Sequence, residues 1–519
     1  MRVLIFHGYM LRGTGSNVYN ASLAPALARL GHDVHLLCQD WDVDELEWVD
    51  RFVGRRGDEI KVTQPDLRLD GRGMVTVHVP DIDGLLPVYV ADRYEGFEVK
   101  TFPELTDREL DRYLDRNVAA VREVAGAMGE VDAALANHLV MGPAILARAG
   151  LRFAAKIHGS ALSYTVRPNP RFLPYAREGM DATSGVLVGS RHTAESLWET
   201  IGDPDLPERT RLGPPGVDTD VFAPIPRSEA AGVLRRLARD VEATGSGGLG
   251  RDGRAAAVAI EHLVDAEGPR VVFVGKLIVS KGVDLLLAAW PLVVREHPGA
   301  RLLLVGFGEN REATERLLAA LEAGDVHAAR EIAARGRGFE RGEDEAGSEE
   351  PVPLRMLEAF LASAPDSYAE DARGAAGSVF LCGRLEHSEV GRLVPATDAL
   401  VFPSTFPEAF GMVAAEAAAA GVLPISADHS GMREVSRALA ETVPPEIARL
   451  LSFPLGPDAV PSIADRLSGW LSLDDRARDD AARALTARAR ELWSWEGVAR
   501  GVLAASAGRL DELPTVPED

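Results

Sequence analysis

The sequence predicts an α/β protein of two domains, each built on a parallel β-sheet. Two observations carry the prediction. An apolar strand, a glycine-bearing loop, a helical pattern and a second strand follow one another over residues 3–38, and again over 271–306. The strand starts, Val3 and Val34 in the first case and Val271 and Leu302 in the second, are 31 residues apart both times. Openings of this βαβ kind build parallel sheets covered by helices, and two in one chain make two Rossmann-like domains. A length of 519 residues accommodates both.

Taken in order, Val3–His7 reads as the first strand and Gly8 to Gly15 as the loop. Ser16 is expected to cap a helix carrying Tyr19, Leu23, Leu27 and Leu30 on one face, with Pro25 kinking it. Gly31 ends that helix, and Val34–Cys38 is the next strand. Further strands are expected at 75–79, 131–136, 153–157 and 185–189, then at 378–382, 399–402 and 422–426. The segment PPGVDTDVFAPIP (214–226), rich in Pro and Asp, divides the chain into domains at 1–215 and 216–497. Residues 227–268 and 320–377 read as additions to a minimal core. They hold the runs TGSGGLGRDG and RGEDEAGSEEPVP and are expected as solvated loops or peripheral helices. The last eight residues, ELPTVPED, are expected to be disordered.

Composition narrows the function. With 46% apolar and 26% charged residues the chain buries an ample core. A net charge of −23 argues against a duplex nucleic-acid footprint and against a polybasic membrane anchor. Two cysteines, Cys38 and Cys382, make no disulfide framework and fit a reducing cytoplasm. The opening MRVLIFHGYM has too short an apolar run for a signal peptide, and no uncharged stretch of 18 residues follows, so no transmembrane segment is expected. Only five of the 56 cationic residues are lysines, at 61, 100, 156, 276 and 281, yet Lys276 and Lys281 lie five apart.

Ligands of open parallel sheets bind beyond the carboxyl ends of the strands. His7, His138 and His158 lie at or just after first-domain strand ends and are expected to line one edge. Without Cys or carboxylate at ligand spacing they make a poor zinc site. In the second domain Lys276 and Lys281 occupy the first loop, Gly306-Phe307-Gly308-Glu309 the second, and Gly383-Arg384 the third. PSTFPEAFGMVAAEAAAAG then places Glu408 before an Ala-rich helix whose first turn is expected to include Gly411, with Gly421 closing it. The unpaired amides from Phe410 to Met412 form a site for anions or sugar hydroxyls, and two ammonium groups opposite them suit a diphosphate.

These residues resemble retaining glycosyltransferases of family 4, which have the GT-B fold of two Rossmann-like domains facing each other across a cleft. Glu408 and Glu416, with seven residues between them inside PEAFGMVAAEA, resemble that family's paired-glutamate signature. GKLIVSKG (275–282) is similar to its donor loop, with Lys276 where the family usually has Arg. HG (158–159), VGSRHTAESL (188–197), PPGVDTDVFAP (214–224), VGFGE (305–309) and GTGSNVY (13–19) are similar to further family segments. The resemblance implies transfer of a hexosyl unit from a nucleotide-diphosphate sugar, UDP- or GDP-linked, to a small-molecule, glycan or lipid-linked acceptor. The anomeric configuration is retained, with neither cofactor nor metal. It implies that Lys276 and Lys281 hold the diphosphate and that Glu416 holds the ribose. Glu408, with the amides of Phe410, Gly411 and Met412, holds the sugar. His158 contacts the transferred sugar, and the loop with Gly15 approaches the phosphates. It also implies a final helix, about 498–511, that returns to the first domain, where Val498, Val502 and Leu503 pack.

Three other readings fit parts of the pattern. A sugar-nucleotide 2-epimerase shares the two-domain fold. A dinucleotide oxidoreductase would use Gly13-Thr-Gly15 and Asp40, although Val18 replaces the third glycine of its fingerprint. A metal-dependent transferase of another fold would use Asp81-Ile-Asp83, although short Asp-x-Asp matches recur at 42–44 and 218–220.

Overall fold

The computed structural model describes residues 1–11, 15–43, 46–63, 71–89, 98–245, 251–339 and 352–517. The chain forms two compact units. One comprises Met1–Gly216 with Trp493–Asp519, the other Val217–Leu492.

In the first unit nine strands form one sheet. Its order is Thr210–Leu212, Gly185–Val188, Ala154–Ile157, Ala133–Asn137, Arg2–Phe6, Asp33–Leu37, Val75–Val79, Arg51–Arg56 and Glu59–Val62. Every pairing is parallel except the last, an antiparallel edge hairpin. The strand order reverses between Arg2–Phe6 and Ala133–Asn137, where Val3 pairs with Ala133 and Phe6 with Ala136. Crossovers leave on opposite faces of the sheet at such a point, and a crevice opens beyond the strand ends. His7 and His138 follow these two strands directly.

Apolar side chains cover both faces of this sheet. Leu4, Phe6, Ala134 and Ala136 point to one face, where Leu110, Leu114 and Val121 of helix Asp107–Met128 pack. Val3, Ile5, Leu135 and Ala154 point to the other, against Leu23 and Leu27 of helix Ser16–Arg29. The alternation is the period-two signature of a strand buried on both sides. Helix Trp495–Ser506 packs on this second face. Val502 and Leu503 are buried there, Val498 packs against them, and the Trp495 ring meets Tyr19 at 5.4 Å. A Cβ on Gly216 would lie 2.5 Å from the Trp495 ring, so only glycine fits where the chain leaves the unit.

The second unit has a six-stranded parallel sheet in the order Val379–Gly383, Arg301–Val305, Arg270–Val274, Ala399–Phe402, Leu423–Ala427 and Ser452–Phe453. Its order reverses between Arg270–Val274 and Ala399–Phe402. The additions are mostly helical among the described residues. Ala230–Thr244 packs on Gly253–Val264, and the latter covers the edge strand Val379–Gly383, with His262 stacked on Phe380 at 4.1 Å. The described residues of 311–375 contribute four α-helices, and Tyr368 Oη reaches the Ala288 carbonyl at 2.8 Å. The centres of both low-complexity runs, 246–250 and 340–351, lie outside the described residues.

Three expectations are corrected. Strands Arg51–Arg56, Glu59–Val62, Leu85–Val88, Glu98–Thr101, Thr210–Leu212 and Ser452–Phe453 were not anticipated. Leu85–Val88 is buried throughout but only four residues long and holds Pro87, and the others are short, edge-placed or polar. Ser16 is the first helical residue, and Gly15, at φ +57°, occupies the cap position without a side-chain bond. Residues 512–517 of the C-terminal segment are ordered, and 518–519 lie outside the described residues. Leu212 N–H donates to the Pro514 carbonyl at 3.0 Å, Thr515 bridges to Arg211, and Arg191 reaches the Pro517 carbonyl at 3.1 Å. An exposed sheet edge supplies backbone partners that composition does not reveal.

Candidate active site

At the reversal point of the second sheet, two loops leave adjacent strands and are stitched together. Thr405 N–H donates to the Ser280 carbonyl at 2.8 Å, and Ser404 Oγ lies 3.0 Å from the same oxygen. The approach depends on Gly282, at φ +67°, where a Cβ would lie 2.0 Å from the Pro403 carbonyl. A one-turn 3₁₀ helix, Val279–Lys281, precedes it and turns Lys281 over the Phe402 ring at 5.2 Å.

The Lys281 ammonium meets Glu408 Oε1 at 2.5 Å, and Ser404 Oγ lies 2.7 Å from the same oxygen. Both charged side chains are about a fifth exposed, at 21% and 22%. Lys281 is therefore paired, where the sequence alone placed two lysines opposite helix amides. Lys276, exposed on the same loop, has no side-chain partner among the described residues.

The backbone around Glu408 is fixed in turn. Its N–H donates to Ser430 Oγ at 2.9 Å, its carbonyl accepts from Gly431 N–H at 3.0 Å, and His429 Nε2–H donates to the Ser404 carbonyl at 2.8 Å. With Nε2 protonated, His429 Nδ1 accepts from the Ser430 hydroxyl at 3.2 Å. The helix after Glu408 begins later than expected. It spans Met412–Ala419 with Gly411 as its cap residue, so the unpaired first-turn amides belong to Met412, Val413 and Ala414. Phe410 and Gly411 precede the helix. Phe410 packs so closely on Gly431 that a Cβ there would lie 2.7 Å from the Phe410 Cα. Glu416 is 5% exposed, and its Oε1 accepts from His387 Nε2 at 2.8 Å.

Asp284, buried in the first turn of the helix behind the lysine loop, has its pKa pushed up to about 7 by burial. Asp81 and Asp83, the pair that could have clamped a metal, are engaged elsewhere. Asp81 accepts from the Gly57 and Asp83 amides, and Asp83 pairs with Arg116.

The reversal point of the first sheet is built from uncharged groups. Asn137 ends its strand, donates to the Phe6 carbonyl at 3.1 Å and exchanges two hydrogen bonds with Asn20, at 2.9 and 3.2 Å. His158 Nε2–H donates to Asn137 Oδ1 at 2.8 Å, so a neutral His158 carries its lone pair on Nδ1. His7 Nε2–H donates to the Met10 carbonyl at 2.9 Å, and Nδ1 accepts from Asn20 at 3.1 Å. The His138 ring lies 4.9 Å from His158 and 6.0 Å from His7. Both its nitrogens are buried with no partner among the described residues. Burial lowers all three histidines, His7 to about 4, and His138 and His158 well below the ordinary range, with further contributions from neighbouring cationic forms at the latter two. The three strand-end histidines thus gather as expected and stay neutral at pH 7. No group of metal-ligating side chains forms among the described residues. Gly15 is exposed, while Gly13 and Thr14 lie outside the described residues.

Three models of known families match this chain in succession. Glycosyltransferase Family 4 covers residues 13–221, and two models described as Glycosyl transferases group 1 cover 268–335 and 367–445. The chain belongs to glycosyltransferase family 4. The matched ranges contain Gly15 and His158, then Lys276 and Lys281, then Glu408 and Glu416.

Among relatives of this family 4 chain is a GDP-mannose-dependent alpha-(1-6)-phosphatidylinositol monomannoside mannosyltransferase of Mycolicibacterium smegmatis. It is 29% identical over 178 residues, 34% of this chain and 38% of that one. A D-inositol 3-phosphate glycosyltransferase of Segniliparus rotundus is 27% identical over 340 residues, 62% of this chain and 60% of that one. These alignments thus span less than two thirds of either relative's length. The solved structure of HepE from Anabaena, in complex with UDP and glucose, superposes over 99% of this chain and 100% of its own. The TM-score is 0.54 at 15% identity, and the likeness is one of fold. The fold class of this family 4 member is GT-B, with two parallel-sheet domains.

Sequence reasoning did not find Asn20, Asn137, His387, Ser404 or Ser430. Asn137, between a strand end and His138, carried a positional signal. The others gain their partners only through the order of strands in the sheets.

Proposed function

We propose that this family 4 protein is a retaining glycosyltransferase that moves a hexosyl unit from a UDP- or GDP-linked sugar to a hydroxyl acceptor, without a metal at the reaction centre. The observation that carries the reading is the Lys281–Glu408 pair at the reversal point of the second sheet, beside the start of helix Met412–Ala419. A donor diphosphate takes the Lys281 and Lys276 ammoniums and the first-turn amides, where positive charge and the helix dipole favour it. Lys281 then exchanges one anionic partner for another. Glu408, still held by Ser404, is released to accept hydrogen bonds from sugar hydroxyls.

As the glycosidic bond to phosphate breaks, negative charge grows on the departing diphosphate, and the fixed ammoniums and amides stabilise it. These groups do the work that a divalent cation does in other phosphate chemistry. The acceptor hydroxyl attacks from the face the leaving group vacates and passes its proton to the departing phosphate oxygen, which retains the configuration. Glu416 holds the ribose hydroxyls. The neutral His158, oriented by Asn137, contacts the transferred sugar. No separate enzymic nucleophile is assigned.

The test is a thermal-shift panel of nucleoside diphosphates and nucleotide sugars, followed by an acceptor screen with the best donor. Both relatives named above act, by their names, on inositol-containing acceptors, so inositol phosphates head that screen. Stabilisation by one UDP- or GDP-sugar and a product of unchanged anomeric configuration are expected. Conversion of the sugar nucleotide with no acceptor present would identify an epimerase instead. No stabilisation by any nucleoside diphosphate would remove the donor site.

A further inference from the structure

His387 takes no part in the chemistry above, yet it is tied to the donor site. It opens helix His387–Leu393, which follows the edge strand Val379–Gly383. Its Nε2–H donates to Glu416 Oε1 at 2.8 Å, and its ring packs on Phe222 at 5.1 Å. Burial opposes charge on this imidazole, but the hydrogen bond and charge of Glu416, together with the charge of Asp218, outweigh it and raise the His387 pKa.

The start of this helix is anchored from behind. Glu386 caps it, and Glu389 returns a bond to the Glu386 N–H at 2.7 Å. Arg251, only 7% exposed at its side chain, grips both Glu389 oxygens at 2.9 and 2.8 Å in the fork geometry that orients a carboxylate. Arg392 adds a bond to Asp240 at 2.6 Å. Arg251 and Asp240 both belong to the 227–268 addition, which thereby fixes the helix that presents His387.

We propose that His387 is a positioning residue for donor binding: it holds one oxygen of Glu416 and leaves the other aimed at the ribose diol. The proposal rests on the reading of Glu416 as the ribose ligand. A carboxylate 5% exposed and held by one strong bond loses little freedom when the nucleotide arrives. The 227–268 addition then serves the donor pocket through Arg251, Glu389 and His387, with no contact of its own to the nucleotide required.

The experiment measures calorimetric affinity of the full chain for the tightest binder among uridine, guanosine and adenosine diphosphates, and for its 2′,3′-dideoxy form. His387→Phe keeps a ring against Phe222 and removes the donor. It should weaken binding of the ribonucleotide about tenfold, as expected for one charge-assisted hydrogen bond. The dideoxy form, with no diol to meet Glu416, should bind wild type and His387→Phe equally. His387→Gln, which restores an N–H donor, should recover part of the loss, and Glu416→Gln should lose at least as much as His387→Phe. A His387→Phe penalty equally large for the dideoxy form would show general damage to the pocket and overturn the proposal. Wild-type affinity in His387→Phe beside a weakened Glu416→Gln would overturn it while leaving the ribose reading intact. Wild-type affinity in both variants would remove the ribose reading and the proposal together.

Discussion

The two reversal points have the same topology and opposite electrostatics. In the first unit the edge gathers His7, His138, His158 and Asn137 from the strand ends and Asn20 from the first helix, all uncharged at pH 7, with His7, Asn20, Asn137 and His158 joined by hydrogen bonds. In the second, Lys276, Lys281 and Glu408 stand on loops after strands and Glu416 on the helix that follows, with two of the charges paired at 2.5 Å. An open parallel sheet supplies a crevice at each such point but no chemistry. The chemistry comes from a few loop residues, and a charged edge suits phosphates while a neutral polar edge suits hydroxyls.

The sharpest way to break this contrast is to remove the central charge of the second edge. Lys281→Ala should lower turnover about 100- to 1000-fold with a confirmed donor, the usual effect of deleting an oriented stabiliser of transition-state charge. Because it also strands Glu408, a fall in melting temperature is expected with it, and Lys281→Ala/Glu408→Gln should recover stability without recovering turnover. Lys61→Ala, on the edge hairpin, is the control and should leave turnover unchanged. Equal turnover in Lys281→Ala and Lys61→Ala would remove the phosphate site.

Acid should distinguish the two edges next. A histidine whose folded pKa is depressed below its unfolded value of about 6.5 costs stability once the unfolded chain takes up its proton. For His7, lowered to about 4, stability is intact above pH 6.5 and falls as pH drops towards 4. The loss is on the order of 3 kcal/mol from this residue. Thermal melts from pH 7.5 to 4.5 should show the first unit weakening steeply, and a flat profile would mean that these rings are solvated.

Asp284 in the second unit has the opposite sign. Its folded pKa, raised to about 7 by burial, lies above the unfolded value, so its contribution is fully present below pH 3.8 and is lost as pH rises through 7. Asp284→Asn should therefore stabilise the chain at pH 8, by on the order of 4 kcal/mol, and so raise the melting temperature there, while leaving it nearly unchanged near pH 4. A uniform shift at both values would show that charge is not the cause.

The smallest effects are expected from Lys276→Arg and from chelation. Arg keeps the charge at this exposed position and adds a planar fork, so turnover should change less than about tenfold. EDTA should leave turnover unchanged, and restoration by manganese of an activity lost to EDTA would count against the lysine-and-amide account of phosphate binding.

What the amino-acid order determined by itself was local. The 31-residue repeat of the strand starts, the short apolar runs and the glycine loops disclose two parallel-sheet units, because period and burial are written in consecutive residues. Lys281 and Glu408 were singled out from loops that follow strands, and Glu416 only from the resemblance to the family's paired glutamates. The tertiary structure alone decided who meets whom. Lys281 and Glu408 are 127 residues apart, Asn20 and Asn137 are 117 apart, and His387 reaches Glu416 across 29. Such pairs exist only once the strand order makes distant loops neighbours. The same reason explains the late surprises, the edge hairpin at 51–62 and the ordered tail at 513–517. Both are held by backbone groups of a neighbouring strand, carbonyls that every residue supplies and N–H groups that every residue but proline supplies, which therefore leave little mark in composition.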